Sequence, residues 1–464
     1  MEDLRGKRVT VMGLGVNGGG LGVARFLARA GAHVLVTDLK ARKELATSVR
    51  ALRGVRNTTY VLGRHRDRDF TDTDLVIQGP GVPRESKYLA LARAYGVPIA
   101  TDVGIFLDAC PSRHIIVVTG TKGKTTTTLL IAAMLRAERR EVVVAGNLGI
   151  SVLDALAKIT PETWVVLELS SWQLEGVADR GFAPSVAVLT NILPDHLDRY
   201  ASFTEYADVK RSLVAHQRPD QIAVLNADDS RVRGAARATR ARVLSASARR
   251  RIAAGCTIED GWVVFRDGER AERIMPIAAI PIPGAHNQMN VLLAATAARA
   301  SGVLPRAIRS AVEHFHGVPH RLELVRTRRG VRYYNDTTAT MPDATIAALD
   351  AIRAPTVLIC GGKDKGLAYD ALSRTIVKTK RVRHVVLLAH SAYSASVAIK
   401  KLAARHGWAN RIVPAADMRD AVRAAAKLAR SGDAVLLSPG AASFGMFVNE
   451  FDRGEQFRAA VHTL

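Results

Sequence analysis

A short apolar strand that runs directly into a glycine- and lysine-rich loop constrains this chain more than any other feature. The strand is Ile115–Thr119, and beyond the loop a helical pattern extends from about Thr125 to Ala137. The loop itself reads Gly120-Thr121-Lys122-Gly123-Lys124-Thr125-Thr126. In such an arrangement, backbone N–H groups and a helix N-terminus concentrate positive potential on an anion. The chain is therefore expected to contain an α/β domain that binds a phosphate group.

The side chains of this loop indicate a nucleoside triphosphate. Lys124 is placed to reach the β- and γ-phosphates, and Thr125 or Thr126 to offer a hydroxyl group to magnesium. The first glycine of the full Walker A pattern is absent, because Val118 stands in its place. The loop is thus a shortened variant, but strand, loop and helix keep the order that phosphate binding requires. We predict ATP and Mg²⁺ as ligands.

The chain has 464 residues, which is too long for one core at about 150 residues per domain. Pro111-Ser112 and Gly317-Val318-Pro319 interrupt it, so we predict three domains: 1–110, 111–316 and 317–464. Apolar runs alternate with helical patterns, as in parallel α/β units. The expected fold class is α/β, with a Rossmann-like N-terminal domain, a central P-loop ATPase-type domain with a mostly parallel sheet, and a Rossmann-like C-terminal domain.

The same patterns predict individual elements. Strands are expected at Arg8–Met12, His33–Thr37, Leu75–Ile77, Ile115–Thr119, Val142–Val144, Trp164–Leu167, Val186–Leu189, Ile222–Leu225, Leu322–Val325, Val331–Tyr334, Thr356–Ile359, Val385–Leu388 and Ala434–Leu437. Helices are expected at Leu21–Arg29, Thr125–Ala137, Arg231–Arg242 and Asn287–Ala300. Residues 243–283 are expected to form short antiparallel strands around the turn Arg266-Asp267-Gly268.

The formal charge of +23 raises the question of a nucleic-acid ligand. The basic residues are scattered, however, and only 5% of the chain is aromatic, so the stacking side chains of a single-strand binder are lacking. We attribute the charge to solvated arginine-rich surfaces, with a smaller contribution from anionic substrates. No stretch reaches the about 20 apolar residues of a membrane helix. Three separated cysteines indicate a reducing compartment. We therefore expect a cytoplasmic monomer that binds no nucleic acid and does not insert into a membrane.

A second glycine-rich turn, Gly13-x-Gly15-x-x-Gly18, follows the first predicted strand, and Asp38 ends the next. This pattern resembles a dinucleotide-binding fingerprint. Three interpretations are open: a nicotinamide site in a dehydrogenase, a turn that only packs, and a turn that grips the diphosphate of a nucleotide-linked substrate. We favour the third.

Two polar clusters follow other predicted strands of the central domain. One is Glu168-Leu169-Ser170-Ser171-Trp172-Gln173, the other runs from Asn191 to Tyr200 and contains His196, and Lys210 lies beyond it on a predicted helix. Ligand sites of α/β sheets form at the carboxyl ends of their strands. These clusters are therefore expected to join the phosphate loop in one site.

In combination the motifs resemble the Mur ligases, which build the peptide of bacterial cell-wall precursors, and within them the branch that adds glutamate to UDP-N-acetylmuramoyl-L-alanine. The resemblance runs in order through nearly the whole chain. Its ten motifs are Thr119–Thr126, Gly146–Gly149, Glu168–Leu174, Asp195–Tyr200, Lys210, His286–Asn290, Gly317–Arg321, Asn335-Asp336, Gly361–Lys365 and Ser438–Phe444.

The resemblance implies an ATP-dependent ligase that forms an amide bond through an acyl phosphate. Its implied catalytic residues are Lys124, His196 and Lys210. One magnesium ion is implied on Thr125 and Glu168, and a second on His196 and on Lys210 carrying a carbamate. The implied ATP contacts outside the loop are Asn287, Asn290, Arg321 and Asp336, the last two brought in by domain closure.

The resemblance also implies the substrate sites. The UDP-linked substrate is expected on Gly15, Asn17, Asp38, Gly81, Asn147, Ser170 and Gln173, with His196 beside its muramoyl-alanine end. The amino-acid acceptor is expected on Thr340, Lys365, Ser443 and Phe444. One departure concerns the acceptor, because Thr338 stands where glutamate-adding members usually carry a lysine. Glutamate is still expected, with D-glutamate favoured by resemblance alone.

Other functions are open from the sequence. Within the same chemistry, a Mur- or folylpolyglutamate-type ligase would use a different acceptor, for example L-glutamate. From other classes, a nucleotide-dependent dehydrogenase would not need ATP, and a nucleic-acid-binding ATPase would respond to DNA or RNA with a steep salt dependence.

Overall fold

Parallel strand pairing dominates the three sheets of the described chain. The computed structural model describes residues 4–15, 19–148, 151–178, 180–195, 199–363, 367–388, 395–405, 407–443 and 445–464. Contacts divide the chain into two compact units, residues 1–280 with 286–314 and residues 281–285 with 315–464. The first unit contains two sheets and the second unit one. The α/β fold class is confirmed, and the three domain boundaries stay predictions.

The N-terminal sheet is parallel throughout its described part. Its strands are β1 (Arg8–Met12), β2 (His33–Asp38), β3 (Thr58–Leu62), β4 (Leu75–Gln78) and β5 (Ile99–Thr101). Its helices are α1 (Gly19–Arg29), α2 (Ala46–Ala51), α3 (Arg68–Thr71), α4 (Lys87–Ala94) and α5 (Asp102–Ala109). The strand order is β3-β2-β1-β4-β5, so the turn after β1 lies beside the ends of β2 and β4.

The central sheet carries the phosphate loop. Its described strands are β6 (Ile115–Thr119), β7 (Val142–Gly146), β8 (Trp164–Glu168), β9 (Val186–Leu189), β10 (Ile222–Asn226), β11 (Arg242–Ser247), β12 (Ala254–Glu259), β13 (Trp262–Asp267) and β14 (Arg270–Pro276). Its helices are α6 (Lys124–Ala137), α7 (Val152–Ala155), α8 (Ser171–Ala178), α9 (Phe203–Ala215), α10 (Ser230–Gly234), α11 (Ala285–Ala300) and α12 (Pro305–Glu313). In the order β14-β13-β12-β11-β10-β9-β6-β8-β7, strand β6 lies between β8 and β9 and is parallel to both.

Helix α9, which carries Lys210, begins at a capping box. The Ser202 hydroxyl accepts a hydrogen bond from the N–H of Glu205 at 3.1 Å, and the Glu205 carboxylate accepts one from the N–H of Ala201 at 2.8 Å. Both bonds satisfy donors that have no partner within the helix. The cap therefore sets where α9 starts.

Two predictions for the end of this sheet were wrong. Strands β11 and β12 each pair in parallel with the preceding strand, whereas the pairs β12–β13 and β13–β14 are antiparallel. A connection as short as the one between β11 and β12 usually joins antiparallel strands, which explains the error. The helix predicted over Arg231–Arg242 is limited to α10 and one 3₁₀ turn, Ala235–Arg237, because Arg242 already begins β11.

The C-terminal sheet belongs to the second unit. Its described strands are β15 (Glu323–Arg328), β16 (Val331–Asn335), β17 (Thr356–Cys360), β18 (Val382–Leu388), β19 (Ile412–Ala415) and β20 (Ala434–Leu437). Its helices are α13 (Pro342–Ala351), α14 (Asp370–Lys378), α15 (Ala395–Ala404), α16 (Met418–Leu428) and α17 (Glu450–His462). In the order β15-β16-β20-β17-β18-β19, only the edge strand β15 is antiparallel to its neighbour among the described strands.

Close helix packing joins the N-terminal and central sheets within the first unit. Helix α1 packs on α7, and a Cβ added to Gly22 would lie 2.0 Å from Oγ of Ser151. Arg25 and Asp154 form an ion pair across the same contact at 3.5 Å. One buried apolar cluster includes residues of both helices: Val23, Ala24, Leu27, Val152, Leu153 and Ala155. The two sheets therefore share one core.

Across the part of the chain that the structure describes, every helix is too short or too polar to cross a membrane.

Two neighbouring glycines of α1 offer a test of this packing. A Cβ on Gly20 would lie 2.3 Å from the carbonyl oxygen of Gly13, whereas a Cβ on Gly19 would meet no atom within 4 Å. We expect Gly20→Ala to destabilise the first unit by about 1–3 kcal/mol, because backbone cannot move aside as a side chain can. Gly19→Ala is the matched control and should be neutral or slightly stabilising. Thermal unfolding measures both, and equal melting midpoints would contradict the packing.

Candidate active site

The phosphate loop is built on two glycines with backbone angles that favour glycine. Gly120 has φ +147° and Gly123, immediately before α6, has φ +82°. A Cβ on Gly120 would lie 2.0 Å from Oγ1 of Thr190, and one on Gly123 would lie 2.3 Å from Oδ1 of Asn290. Both positions therefore exclude a side chain for conformational and steric reasons.

The segment after β9 holds the loop in place. The N–H of Thr121 donates to the carbonyl of Asn191 at 2.8 Å. The Asn191 side chain accepts from the N–H of Lys122 at 2.8 Å and donates to the carbonyl of Lys122 at 3.0 Å. The Thr190 hydroxyl donates to the same carbonyl at 2.6 Å. Asn191 had no predicted role of its own, and its signal in the sequence is its place two residues after the apolar strand β9.

Two lysine amines converge on the backbone of this loop. Nζ of Lys124 donates to the carbonyl of Thr121 and Nζ of Lys210 to the carbonyl of Gly120, each at 3.0 Å. Lys210 is only 2% exposed. Its burial lowers its pKa to about 7, with a further decrease from the charge of Lys124, against opposing effects of Asp195 and Glu168. The site therefore concentrates positive charge where an anion would be stabilised.

A buried carboxylate lies beside the start of α6. Glu168, at the end of β8, is 1% exposed. One of its oxygens accepts a hydrogen bond from the Thr125 hydroxyl at 2.7 Å, and the other from the Asn147 side chain at 3.0 Å. Three strands thus bring together predicted residues that lie far apart in sequence. A carboxylate and a hydroxyl group are oxygen ligands of the kind that Mg²⁺ prefers.

The described residues form no group of three or more His, Cys, Asp or Glu side chains that could hold a metal ion. Such a cage is not required for Mg²⁺ in phosphoryl transfer, because the ion usually takes one or two carboxylates together with phosphate oxygens and water. Thr125 and Glu168 fit this donor set.

Ser170 and Gln173 are bonded to each other at the start of α8. The Gln173 side-chain oxygen accepts from the N–H and the hydroxyl of Ser170 at 3.1 and 3.2 Å, and the Ser170 hydroxyl accepts from the N–H of Gln173 at 3.2 Å. This reciprocal cap orients both side chains at the carboxyl edge of the sheet. Their part in binding a ligand stays a prediction.

The two asparagines predicted to contact ATP, Asn287 and Asn290, lie in the first turns of α11. The Asn290 amide donates to Oδ1 of Asn287 at 3.1 Å and accepts from the Thr127 hydroxyl at 3.4 Å. Asn290 also lies beside Gly123, because its Oδ1 would be 2.3 Å from a Cβ atom added to that glycine. Both asparagines therefore lie at the edge of the phosphate loop.

Asp38 ties the N-terminal glycine turn to β2. One of its oxygens accepts from the N–H groups of Leu14 and Gly15 at 2.9 and 3.1 Å, and the other from the N–H of Lys40 at 2.9 Å. The carboxylate thus holds the turn that carries Gly15. Gly81, which follows β4, is exposed.

An arginine links the segment after β4 to the central sheet. Arg199 donates to Glu175 at 2.9 Å and to the carbonyl of Pro80 at 3.4 Å, and its guanidinium lies 4.5 Å from the ring centre of Trp172. The Tyr200 hydroxyl also bonds to Glu175. Arg199 belongs to a predicted motif but had no predicted role, because its partners come from distant segments.

In the C-terminal unit, Asp336 is a buried acid at the end of β16. It accepts from the Ser438 hydroxyl at 2.8 Å and from the N–H of Leu322 at 3.2 Å. Burial raises its pKa to about 7, although these bonds and Arg321 act in the opposite direction. Arg321 itself is exposed.

Two predicted acceptor residues, Thr340 and Ser443, lie on the segments after β16 and β20. Ser443 is 3% exposed, and its hydroxyl has no hydrogen-bond partner among the described residues. A buried polar group of this kind requires an explanation, such as a ligand or an ordered water. Thr340 is half-buried, and the Thr338 hydroxyl donates to the carbonyl of His320 at 2.9 Å.

Four predicted site residues lie outside the described residues: Asn17, His196, Lys365 and Phe444.

Family models match all three sheets. The description "MurD-like, N-terminal domain" of the Mur ligases matches residues 7–101, the Mur ligase middle domain matches residues 118–298, and the glutamate ligase domain matches residues 320–440.

Known proteins match the chain over its whole length. A protein of Roseiflexus sp. strain RS-1 named UDP-N-acetylmuramoylalanine–D-glutamate ligase is 46% identical, with 99% of each chain covered. A protein of the same name from Geobacter metallireducens is 41% identical, covering 100% of this chain and 98% of its own. The solved UDP-N-acetylmuramate–alanine ligase of Thermotoga maritima shares the fold, with a TM-score of 0.63, 19% identity, and 98% and 99% of the chains covered. The chain belongs to the Mur ligase family, whose members are ATP- and magnesium-dependent ligases that form amide bonds.

Proposed function

We propose that this protein joins D-glutamate to UDP-N-acetylmuramoyl-L-alanine, with conversion of ATP to ADP and phosphate, in the cytoplasmic stage of peptidoglycan precursor synthesis. The observation that carries the proposal is the convergence of Lys124, Lys210, Thr125 and Glu168 around one phosphate loop. The names of relatives with 46% and 41% identity supply the substrates. The dehydrogenase interpretation has no support in this family.

The proposed reaction has two steps. A carboxylate oxygen of the alanyl group attacks the γ-phosphorus of ATP, ADP leaves, and an acyl phosphate forms. The amine of glutamate then attacks the acyl carbon, phosphate leaves, and the amine gives up a proton as the amide forms. Transfer of a phosphoryl group depends chiefly on positioning and on neutralisation of charge. Lys124, with its amine at the loop, is the residue we assign to the transferred phosphate.

Thr125 and Glu168 are the residues we assign to one magnesium ion, and His196 with a modified Lys210 to a second. Magnesium bound there would neutralise charge on the phosphate oxygens. Glu168 is suited to this task because it is buried and oriented by two hydrogen bonds, so it is preorganised before a ligand arrives.

Lys210 is proposed to carry a carbamate. Its amine is buried, near Lys124, and bonded to the Gly120 carbonyl. An ammonium group in this position faces a second cation, whereas a carbamate would add a negative charge and two oxygen ligands. The modification joins the uncharged amine to CO₂ with loss of one proton, and a pKa of about 7 makes the uncharged amine accessible near neutral pH.

ATP is proposed to contact Asn287, Asn290, Arg321 and Asp336. The UDP-linked substrate is assigned to Gly15, Asn17, Asp38, Gly81, Asn147, Ser170, Gln173 and His196. The glutamate acceptor is assigned to Thr340, Lys365, Ser443 and Phe444. The Ser443 hydroxyl, which has no hydrogen-bond partner within the described ranges, supports the last assignment, because a ligand carboxylate would satisfy it.

Release of phosphate tests the whole proposal. We expect release only when UDP-N-acetylmuramoyl-L-alanine and an amino acid are both present with ATP and Mg²⁺. Release that depends instead on DNA or RNA would contradict the ligase function.

Lys124→Ala should lower ligase turnover roughly 100- to 1,000-fold, because it removes a positioned positive charge from the transferred phosphoryl group. Phosphate release measures the effect, and circular dichroism establishes that the variant is folded. Lys158→Ala, at an exposed lysine of the 3₁₀ turn Leu156–Lys158, is the control and should keep its rate. Normal turnover by folded Lys124→Ala protein would refute the ATP-site assignment.

Lys210→Ala should be nearly inactive, and bicarbonate or short carboxylates such as formate should restore part of the rate by supplying an oxygen ligand. A second readout is independent of activity: ¹³C NMR in ¹³C-bicarbonate should show a carbamate signal in the wild type and lose it in Lys210→Ala. A surface ion pair contributes at most about 1 kcal/mol and would not respond to carboxylates. Full activity of the variant, with an unchanged ¹³C spectrum, would contradict the modification.

Glutamate should remain the best acceptor in a panel of D- and L-amino acids, with a higher requirement caused by Thr338. Charge-assisted hydrogen bonds to a carboxylate contribute about 1.5–3 kcal/mol each, so Thr338→Lys should lower the KM for glutamate roughly tenfold. Thr327→Lys adds the same charge at an exposed position of β15 and should leave that KM unchanged. Preference for alanine, lysine or a diamino acid would contradict this prediction and identify the protein as a Mur ligase with a different acceptor.

A further inference from the structure

The C-terminal unit buries an arginine whose guanidinium bonds to the oxygens of two loops. Arg453, in the first turn of α17, is 0% exposed. Its Nε donates to the Thr337 hydroxyl at 2.9 Å, its Nη2 to the Thr337 carbonyl at 2.8 Å, and its Nη1 to the Ala441 carbonyl at 3.1 Å. All three nitrogen atoms of the guanidinium therefore donate hydrogen bonds within the protein.

Burial of this charge is unfavourable by itself. It lowers the pKa of Arg453 to about 10, and the charge of Glu450 offsets the effect only in part. Arginine is rarely buried without specific partners, because its five N–H donors lose water. A leucine or methionine would fill the same space without this cost, so the fork geometry itself needs an explanation.

The two loops that Arg453 joins carry the proposed acceptor residues. Thr337 leads to Thr340 after β16, and Ala441 leads to Ser443 after β20. A direct bond also links these loops, from the N–H of Gly440 to the carbonyl of Ala339 at 2.8 Å. The guanidinium therefore helps to set the distance between the two sides of the acceptor site.

Asp336, which lies on the same segment and is proposed to contact ATP, is held by a separate set of hydrogen bonds. Asp336 is held by the Ser438 hydroxyl, the N–H of Leu322 and its own N–H bond to the Leu437 carbonyl at 2.7 Å. None of these bonds involves Arg453. Loss of the arginine fork should thus affect the acceptor side of the loop more than Asp336.

Helix α17 packs closely against the loop after β16 that contains Thr337, next to Arg453. A Cβ on Gly454 would lie 2.3 Å from Nδ1 of His320 and 2.6 Å from Cγ2 of Thr337. The Thr337 hydroxyl in turn donates to the carbonyl of Glu450 at 2.9 Å. The helix start and the loop are thus fixed to each other from both sides.

We propose that Arg453 is a positioning residue for the amino-acid acceptor, which sets the spacing of the Thr337–Thr340 and Ala441–Ser443 segments through its three hydrogen bonds. The proposal rests on the proposed function, since it identifies these segments as the acceptor site.

The test separates acceptor binding from stability. Arg453→Lys keeps the charge but loses the fork, and should raise the KM for glutamate roughly tenfold or more. The KM values for ATP and for the UDP-linked substrate should change by less than about threefold. Thr337→Val, which removes the acceptor of the Nε bond and leaves the arginine in place, should show the same selective effect. Together the two substitutions should be less than additive, because they break the same bond.

Arg383→Met is the matched control. Arg383 pairs with Asp433 at 3.3 Å near the amino ends of β18 and β20, away from the acceptor loops. It should lower the melting midpoint without a selective change in the KM for glutamate. If Arg453→Lys does not fold, the three KM values of Thr337→Val alone test the proposal.

A decrease in kcat with no change in the KM for glutamate, or a parallel rise in all three KM values, would overturn the proposal and leave Arg453 a structural residue. Failure of the wild-type protein to use either glutamate would overturn the proposed function instead. The same KM comparison would then be made with the amino acid that the panel selects.

Discussion

The parallel pairing of β6 with its neighbours β8 and β9 is the constraint on which the site depends. Because the three strands run in the same direction, the residues that follow them meet at one edge of the sheet. Glu168 and Asn191 thereby reach a loop that lies far from both in sequence. The hydrogen bonds that they form hold the loop and the start of α6 in place. The common direction of the three strands therefore determines which side chains reach the phosphate loop.

The second property of this edge of the central sheet is the positive charge gathered around the phosphate loop. Lys124 and Lys210 both direct their amines to backbone carbonyls of the loop, and the lower pKa of Lys210 reflects its burial and its neighbour's charge. A site of this kind stabilises an added negative charge more than a neutral group. The buried Glu168 beside it prevents a purely cationic pocket and offers oxygen ligands.

Strands with continuous apolar runs could be predicted from the sequence, often to the residue, as for β1, β6, β9 and β20. The edge strands β3, β5 and β19 were not predicted. β5 has three residues and β19 contains Pro414, so neither has the pattern of a buried strand. In the site, motif residues could be predicted because their chemistry is local. Partners such as Asn191 for Lys122, or Thr337 for Arg453, could not, since they depend on tertiary contacts between distant segments.

The packing of α1 on α7 has a consequence for how a long substrate would bind. Separation of the N-terminal and central sheets would expose side chains such as Val23, Leu27 and Leu153, at a cost of about 1.5–3 kcal/mol for each fully exposed. The surfaces on these two sheets are therefore preorganised relative to each other. A ligand that spans them would lose little free energy to ordering the protein, so more of its contact energy would remain as affinity.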